Sequence, residues 1–163
     1  MSELWGWMPD FVRGWLPINL NRDMNRTPMQ WTGGDNAGFC PPNVRAWLPV
    51  NAGNKHERNV ERQRADPASL LNLYRALLAA RRELPALHAG SLTVLDGLPA
   101  CVLGYLRQQA GQRVAVLLNF GRHAAAFPFD ETGDVLVTTS PEAHLDDRSA
   151  TLPGKAGLVA LLA

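Results

Sequence analysis

Arg113-Val-Ala-Val-Leu-Leu118 is a run of aliphatic residues with no polar alternation, closed by Asn119, Phe120 and Gly121. A strand that buries both faces reads this way, whereas a half-exposed strand alternates. The run therefore predicts the central strand of a covered sheet. Working outward, segments of strand period recur at 91–95, 101–107, 124–129, 134–139, 148–152 and 157–162. Turn residues separate them: Gly97-Leu-Pro99, Gln109-Ala-Gly111, Gly121, Glu131-Thr-Gly133 and Pro153-Gly154. Short strands at this spacing predict an antiparallel β-sandwich rather than a parallel sheet.

Upstream the period changes to that of a helix. Leu70, Leu73, Tyr74, Leu77 and Leu78 recur at helical spacing within residues 66–84. Asp66 is a candidate N-cap, with Pro67 at the first helical position. Arg81 and Arg82 suit the C-terminal end of the helix dipole, and Pro85 stops it. Leu71 widens the apolar face, so the helix is expected to pack against two surfaces. Residues 1 to about 65 read as irregular, because six prolines and the Gly33-Gly34 pair interrupt any regular element. All five tryptophans (Trp5, Trp7, Trp15, Trp31 and Trp47) lie in this stretch. So many indoles on so little regular structure call for a covering surface. The domain boundary is placed at 87/88.

Composition narrows the function. The 163 residues are 46% hydrophobic and 19% charged, with a net charge of +1. Basic residues are scattered, without a basic-aromatic stripe, which argues against nucleic acid as a partner. No apolar run approaches the ~20 residues of a membrane span, and the N-terminal residues do not spell a secretory signal. A cytoplasmic protein that does not enter a membrane is the expectation. Cys40 and Cys101 lie far apart in sequence, and no Cys/His spacing fits a zinc site, so two free thiols and no metal are expected. His56, His88, His123 and His144 are dispersed and form no recognisable triad order. Asp146 and Asp147, if extended, point to opposite faces and read as surface acids.

The chemistry concentrates in Arg26-Thr-Pro-Met-Gln-Trp31. Arg22, Asp23 and Arg26 are close enough in sequence for a local ion-pair cluster. Arg26 is also a planar donor fork that suits a carboxylate or sugar hydroxyls. Trp31 offers a flat apolar face with one N–H, for a core or for a sugar ring. Further blocks follow in order: Asn36-Ala-Gly-Phe39, Trp47-Leu-Pro-Val-Asn51, Asn59-Val60 with Gln63, and Asp66-Pro67-Ala-Ser-Leu-Leu71.

This succession, from about residue 20 onward, resembles the α-glucosidase and oligo-1,6-glucosidase branch of the α-amylase family of glycoside hydrolases. Val102-Leu-Gly-Tyr105-Leu-Arg107 and Val114-Ala-Val-Leu-Leu-Asn119-Phe120 resemble two strands of that family's C-terminal domain; residues 1–19 fall outside the resemblance. The resemblance implies a fold: the last loop and helix of a (β/α)8 barrel (residues 1–87), then a C-terminal antiparallel β-sandwich domain (88–163). It implies retaining hydrolysis of α-glucosidic bonds in oligosaccharides. It places Arg26 at the mouth of the active-site pocket as a substrate-binding residue, with Asp23, Gln30 and Trp31 supporting the loop. The relatives commonly carry an acidic residue where this chain has Thr32. Retaining glycosidases need two carboxylates about 5–5.5 Å apart, which the family draws from earlier barrel strands. A whole barrel takes about 250 residues, so the expectation is a C-terminal fragment that has no catalytic residue of its own and needs no cofactor. An α-glucosidic oligosaccharide is the implied partner once a barrel completes the site; self-association through exposed apolar surface is the other expected contact. The same Arg26–Trp31 block occurs in trehalose synthase-like isomerases, which leaves that activity open, as well as a non-catalytic β-sandwich that binds glycans or protein.

Overall fold

A computed structural model describes residues 26–51, 53 and 55–163. The chain divides into two compact units between Asp66 and Pro67.

In the second unit, helix α2 (Leu70–Glu83) and the short helix α3 (Pro85–Ala89) precede eight strands. These are β1 (Ser91–Val94), β2 (Val102–Gln109), β3 (Gln112–Asn119), β4 (Ala125–Pro128), β5 (Gly133–Thr138), β6 (His144–Leu145), β7 (Ser149–Leu152) and β8 (Gly157–Leu162). One sheet has the order β1-β2-β3-β8-β5 and the other β4-β7-β6. Every pairing is antiparallel, with Val116 opposite Tyr105 on one side and Val159 on the other. The seven strands read from the sequence are all present. The eighth, β6, spans only two residues, too few to show a period.

β3 is central and covered on both faces, as its unbroken aliphatic run requires. Ala115 and Leu117 face the second sheet, in a core with Phe127, Phe129, Ala150, Leu152, Leu158 and Ala160. Val114 and Val116 face the other way and pack with Val137 and Val159 against Ala80 and Ala86 of the helices. Alternate β3 side chains thus feed two cores, one between the sheets and one under the helices. Gly90 joins α3 to β1 at a tight approach, since a Cβ there would lie 2.5 Å from the Ala86 carbonyl oxygen.

Helix α2 begins later than 66. Ser69 caps it, its hydroxyl accepting from the Asn72 amide at 3.2 Å. Asp66 instead closes an unforeseen helix, α1 (Val60–Ala65), in a stretch expected to be irregular. Pro85 ends α2 as expected and also opens α3 from its first turn, where a missing N–H costs nothing. The helix turns Leu73 and Ala80 to the sheet. Its other apolar stripe, Leu70, Tyr74 and Leu78, is exposed, with Leu70 at 64%.

Cys40 and Cys101 are free thiols. Among the described residues, no helix is long and apolar enough to cross a membrane.

Candidate functional site

Arg26-Thr-Pro-Met-Gln-Trp31 lies in the first unit as an extended segment with Pro28 buried and Arg26 exposed. Extended backbone leaves its N–H and C=O groups to be satisfied by other segments, and at the Gln30–Trp31 end two segments do so. On one side, the Trp31 and Thr32 amides donate to the Ala37 carbonyl at 2.8 and 3.1 Å. On the other, the Val60 amide donates to the Gln30 carbonyl and the Glu61 amide to the Trp31 carbonyl, both at 3.0 Å. The block is thereby held between the 35–38 turn and the N-terminus of α1.

Each holder has its own fixings. Asp35–Gly38 forms a 3-10 turn in which Asn36 and Ala37 take left-handed φ values of 47° and 51°. Such values cost an L-residue energy and persist only where the surroundings enforce them. Here the Asn36 side-chain amide donates to the carbonyls of Pro41 and Val44, both at 2.8 Å. Gly38, at φ +67°, meets the left-handed requirement without a side chain. Asn59 is buried and caps α1: its oxygen accepts from the Arg62 amide at 2.8 Å and its nitrogen donates to the Lys55 carbonyl at 2.7 Å. The Lys55 ammonium in turn donates to the Gly34 carbonyl at 3.0 Å. The Gln30 side chain donates to the Asn51 carbonyl at 3.4 Å, tying the block to the Trp47–Asn51 segment.

Gln30 and Trp31 therefore sit within the loop's bonding network, and the Trp31 side chain stays 46% exposed. Asp23 lies outside the described residues, so the Arg22–Asp23–Arg26 cluster has no described geometry. Thr32 has a role of its own: its hydroxyl accepts from the Gly34 amide at 3.2 Å and shapes the turn. The next block, around Trp47, borders an open depression of about 730 Å³ lined by Asn36 and residues 45–50.

Two acids in the second unit have local partners. Asp146 accepts from the Ser149 hydroxyl at 3.2 Å and lies 3.5 Å from the His144 ring. Glu131 forms a two-pronged ion pair with Arg113, whose donation holds the Glu131 carboxyl below its ordinary range. Among the described residues, no three His, Cys, Asp or Glu side chains converge as a metal site would require. Sequence reasoning gave no sign of the Asn36 lock or the buried Asn59 cap. The only signal available was an asparagine just ahead of a helical turn, a common cap residue.

The loop is followed along the chain by a unit of two antiparallel sheets. Residues 11–90 match the family described as "Alpha amylase, catalytic domain". The chain is 33% identical over 155 residues to a protein named "Probable oligo-1,6-glucosidase 2" of Bacillus subtilis, covering 88% of this chain and 27% of that one. It is 44% identical over 95 residues to a trehalose synthase/amylase of Mycobacterium tuberculosis, covering 56% of this chain and 16% of the other. Among solved structures, the trehalulose synthase MutB of Pseudomonas mesoacidophila MX-45 superposes with a TM-score of 0.74 at 32% identity. That match covers 88% of this chain and 26% of MutB. The chain belongs to the α-amylase family of glycoside hydrolases. It spans about a quarter of the length of the oligo-1,6-glucosidase and of MutB.

Proposed function

We propose that this chain is the C-terminal part of an α-glucosidase-type hydrolase, which cleaves α-glucosidic bonds of oligosaccharides with retention when a catalytic barrel completes it. In this reading residues 1–87 supply the last loop and helix of the barrel, and 88–163 supply the C-terminal β domain. The nucleophile and the acid/base come from barrel strands that this chain does not contain. Arg26 contacts the substrate at the pocket mouth, supported by Asp23, Gln30 and Trp31. The observation that carries the reading is the fixed Arg26–Trp31 segment. Its Gln30–Trp31 end is secured on both sides, Pro28 is buried, and the Arg26 side chain upstream is left exposed, which leaves a guanidinium fork free for sugar hydroxyls.

The chain alone is expected to leave a chromogenic α-glucoside intact. Joined to a barrel from an oligo-1,6-glucosidase relative, it is expected to support hydrolysis. There, Arg26→Ala should lower kcat/KM by about tenfold or more, the scale of one lost charge-assisted hydrogen bond. Hydrolysis by the isolated chain, or an Arg26→Ala hybrid as active as its parent, would overturn the proposal. A second reading, a trehalose synthase-like isomerase, draws on the higher identity to the mycobacterial protein over the shorter stretch. Formation of trehalose from maltose by the completed protein would decide for it.

A further inference from the structure

Trp47 is 82% exposed, a large apolar face turned to solvent on a loop that is otherwise well secured. Its neighbour Leu48 is buried and anchors the segment, while Pro49 stiffens the chain just beyond. The indole stands at a depression of about 730 Å³ bordered by Asn36 and Arg45. That volume lies within the roughly 300–1,000 Å³ range of small-molecule sites.

The chemistry of the border is specific. Among the aliphatic neighbours Ala46, Leu48, Pro49 and Val50, the one indole offers a flat face of about the extent of a pyranose ring. Arg45, exposed and lining the same depression, supplies a planar set of donors suited to hydroxyl oxygens. A neutral ligand with one apolar face and a rim of acceptors fits this pairing better than an apolar or multiply charged one. The frame is fixed in advance. Asn36 spans the loop with its two 2.8 Å bonds, and this lock is what sustains the left-handed turn at Asn36 and Ala37. A binding surface that needs no ordering keeps more of its contact energy. The Gln30–Asn51 bond connects the Trp47 segment to the block that carries Arg26.

We propose that Trp47 and Arg45 form a saccharide subsite separate from the Arg26 contact. One glucosyl unit stacks on the Trp47 indole, and the Arg45 guanidinium donates to its hydroxyls. The choice of sugar rests on the hydrolase reading above; the site itself rests on the Trp47–Arg45–Asn36 arrangement.

Fluorotryptophan incorporated into the full 163-residue chain labels all five indoles, and Trp47→Phe assigns the Trp47 signal by fluorine NMR. Titration with isomaltose and with maltose is expected to move the Trp47 signal saturably, while a linear hexitol leaves it still. Arg45→Ala, at an exposed position, is expected to keep the melting temperature and weaken binding by about tenfold. A Trp47 signal unmoved by both disaccharides overturns the subsite. So does a drift that the hexitol reproduces, or full binding retained in Arg45→Ala. The two proposals fail separately. Catalysis by the completed protein with a silent Trp47 removes the subsite alone. Saturable binding at Trp47 with no catalysis by the completed protein removes the hydrolase reading alone.

Discussion

Asn119 ends β3 as a buried amide whose two N–H groups are shared among three carbonyls. Its nitrogen donates to the carbonyls of His123, Leu152 and Pro153 at 2.9, 3.1 and 3.0 Å, and its oxygen accepts from the Gly121 amide at 2.8 Å. One side chain thus joins the end of the central strand to the turn before β4 and to the end of β7. Removing it strands several buried polar groups, each costing about 1–3 kcal/mol. Asn119→Ala is therefore expected to destabilise the second unit by about 3 kcal/mol, read as a lower urea midpoint with the slope unchanged. A loss below about 0.5 kcal/mol would show that water replaces the amide without penalty. The Arg113–Glu131 pair is a different case, because both side chains are about a third exposed. Hydrogen bonding from Arg113, with its charge adding, lowers the folded carboxyl's pKa, while desolvation opposes both. A lowered folded value stabilises above the unfolded carboxyl's pKa of about 4.3. That contribution fades as the pH falls from there through the folded value. Glu131→Gln should thus cost up to about 1 kcal/mol at neutral pH and nothing once the carboxyl is protonated. A pH-independent difference in melting would contradict this.

At the scale of elements, the strands were legible and the short helices were not, for a physical reason. A covered strand writes its burial into consecutive aliphatic residues, as Val114–Leu117 and Leu158–Ala160 do. Helix α1 has six residues, fewer than two turns, so no period emerges and Asn59's cap is the only mark it leaves. Asp66-Pro67 has the spelling of a helix start, yet Ser69 competes for the same role. Ser69 wins because its hydroxyl reaches the Asn72 amide while Asp66 is engaged at the close of α1. For the candidate site, the order of residues signalled the Arg26 block. What holds the block is backbone pairing of Gln30 and Trp31 with residues up to thirty positions away, and such pairing leaves no pattern in side-chain identity. The wide apolar face of α2 was legible too, with only one stripe on the sheet. The Leu70, Tyr74 and Leu78 stripe is left exposed, and exposed apolar stripes of this kind drive association. Leu70→Glu combined with Leu78→Lys is expected to reduce self-association in sedimentation without lowering the melting temperature. A lower melting temperature in the double variant would mean that the stripe already stabilises the chain's own fold.

For the whole molecule, sequence and packing cut the chain at different places. The match to the α-amylase catalytic domain ends at residue 90, where β1 is about to begin, whereas the compact unit begins at Pro67. Helices α2 and α3 thus lie within the catalytic-domain match and pack on the sheet that follows it. They cover the outer faces of Val114, Val116, Val137 and Val159 with Ala80, Ala86 and the flanking leucines Leu73, Leu84 and Leu87. Burying a valine contributes about 1.5 kcal/mol, so uncovering four of them costs about 6 kcal/mol before the helix side chains are counted. A domain of this size has about 5–15 kcal/mol in total. A fragment of residues 67–163 is therefore expected to melt cooperatively. A fragment of residues 88–163, cut within α3 just ahead of the strands, is expected to lose most of its stability and to bind a hydrophobic dye through the bared valine face. If the shorter fragment melts as sharply as the longer one, and at the same temperature, the helices add nothing to the sheet. The exposed stripe on α2 would then be one side of an element free to serve another surface entirely.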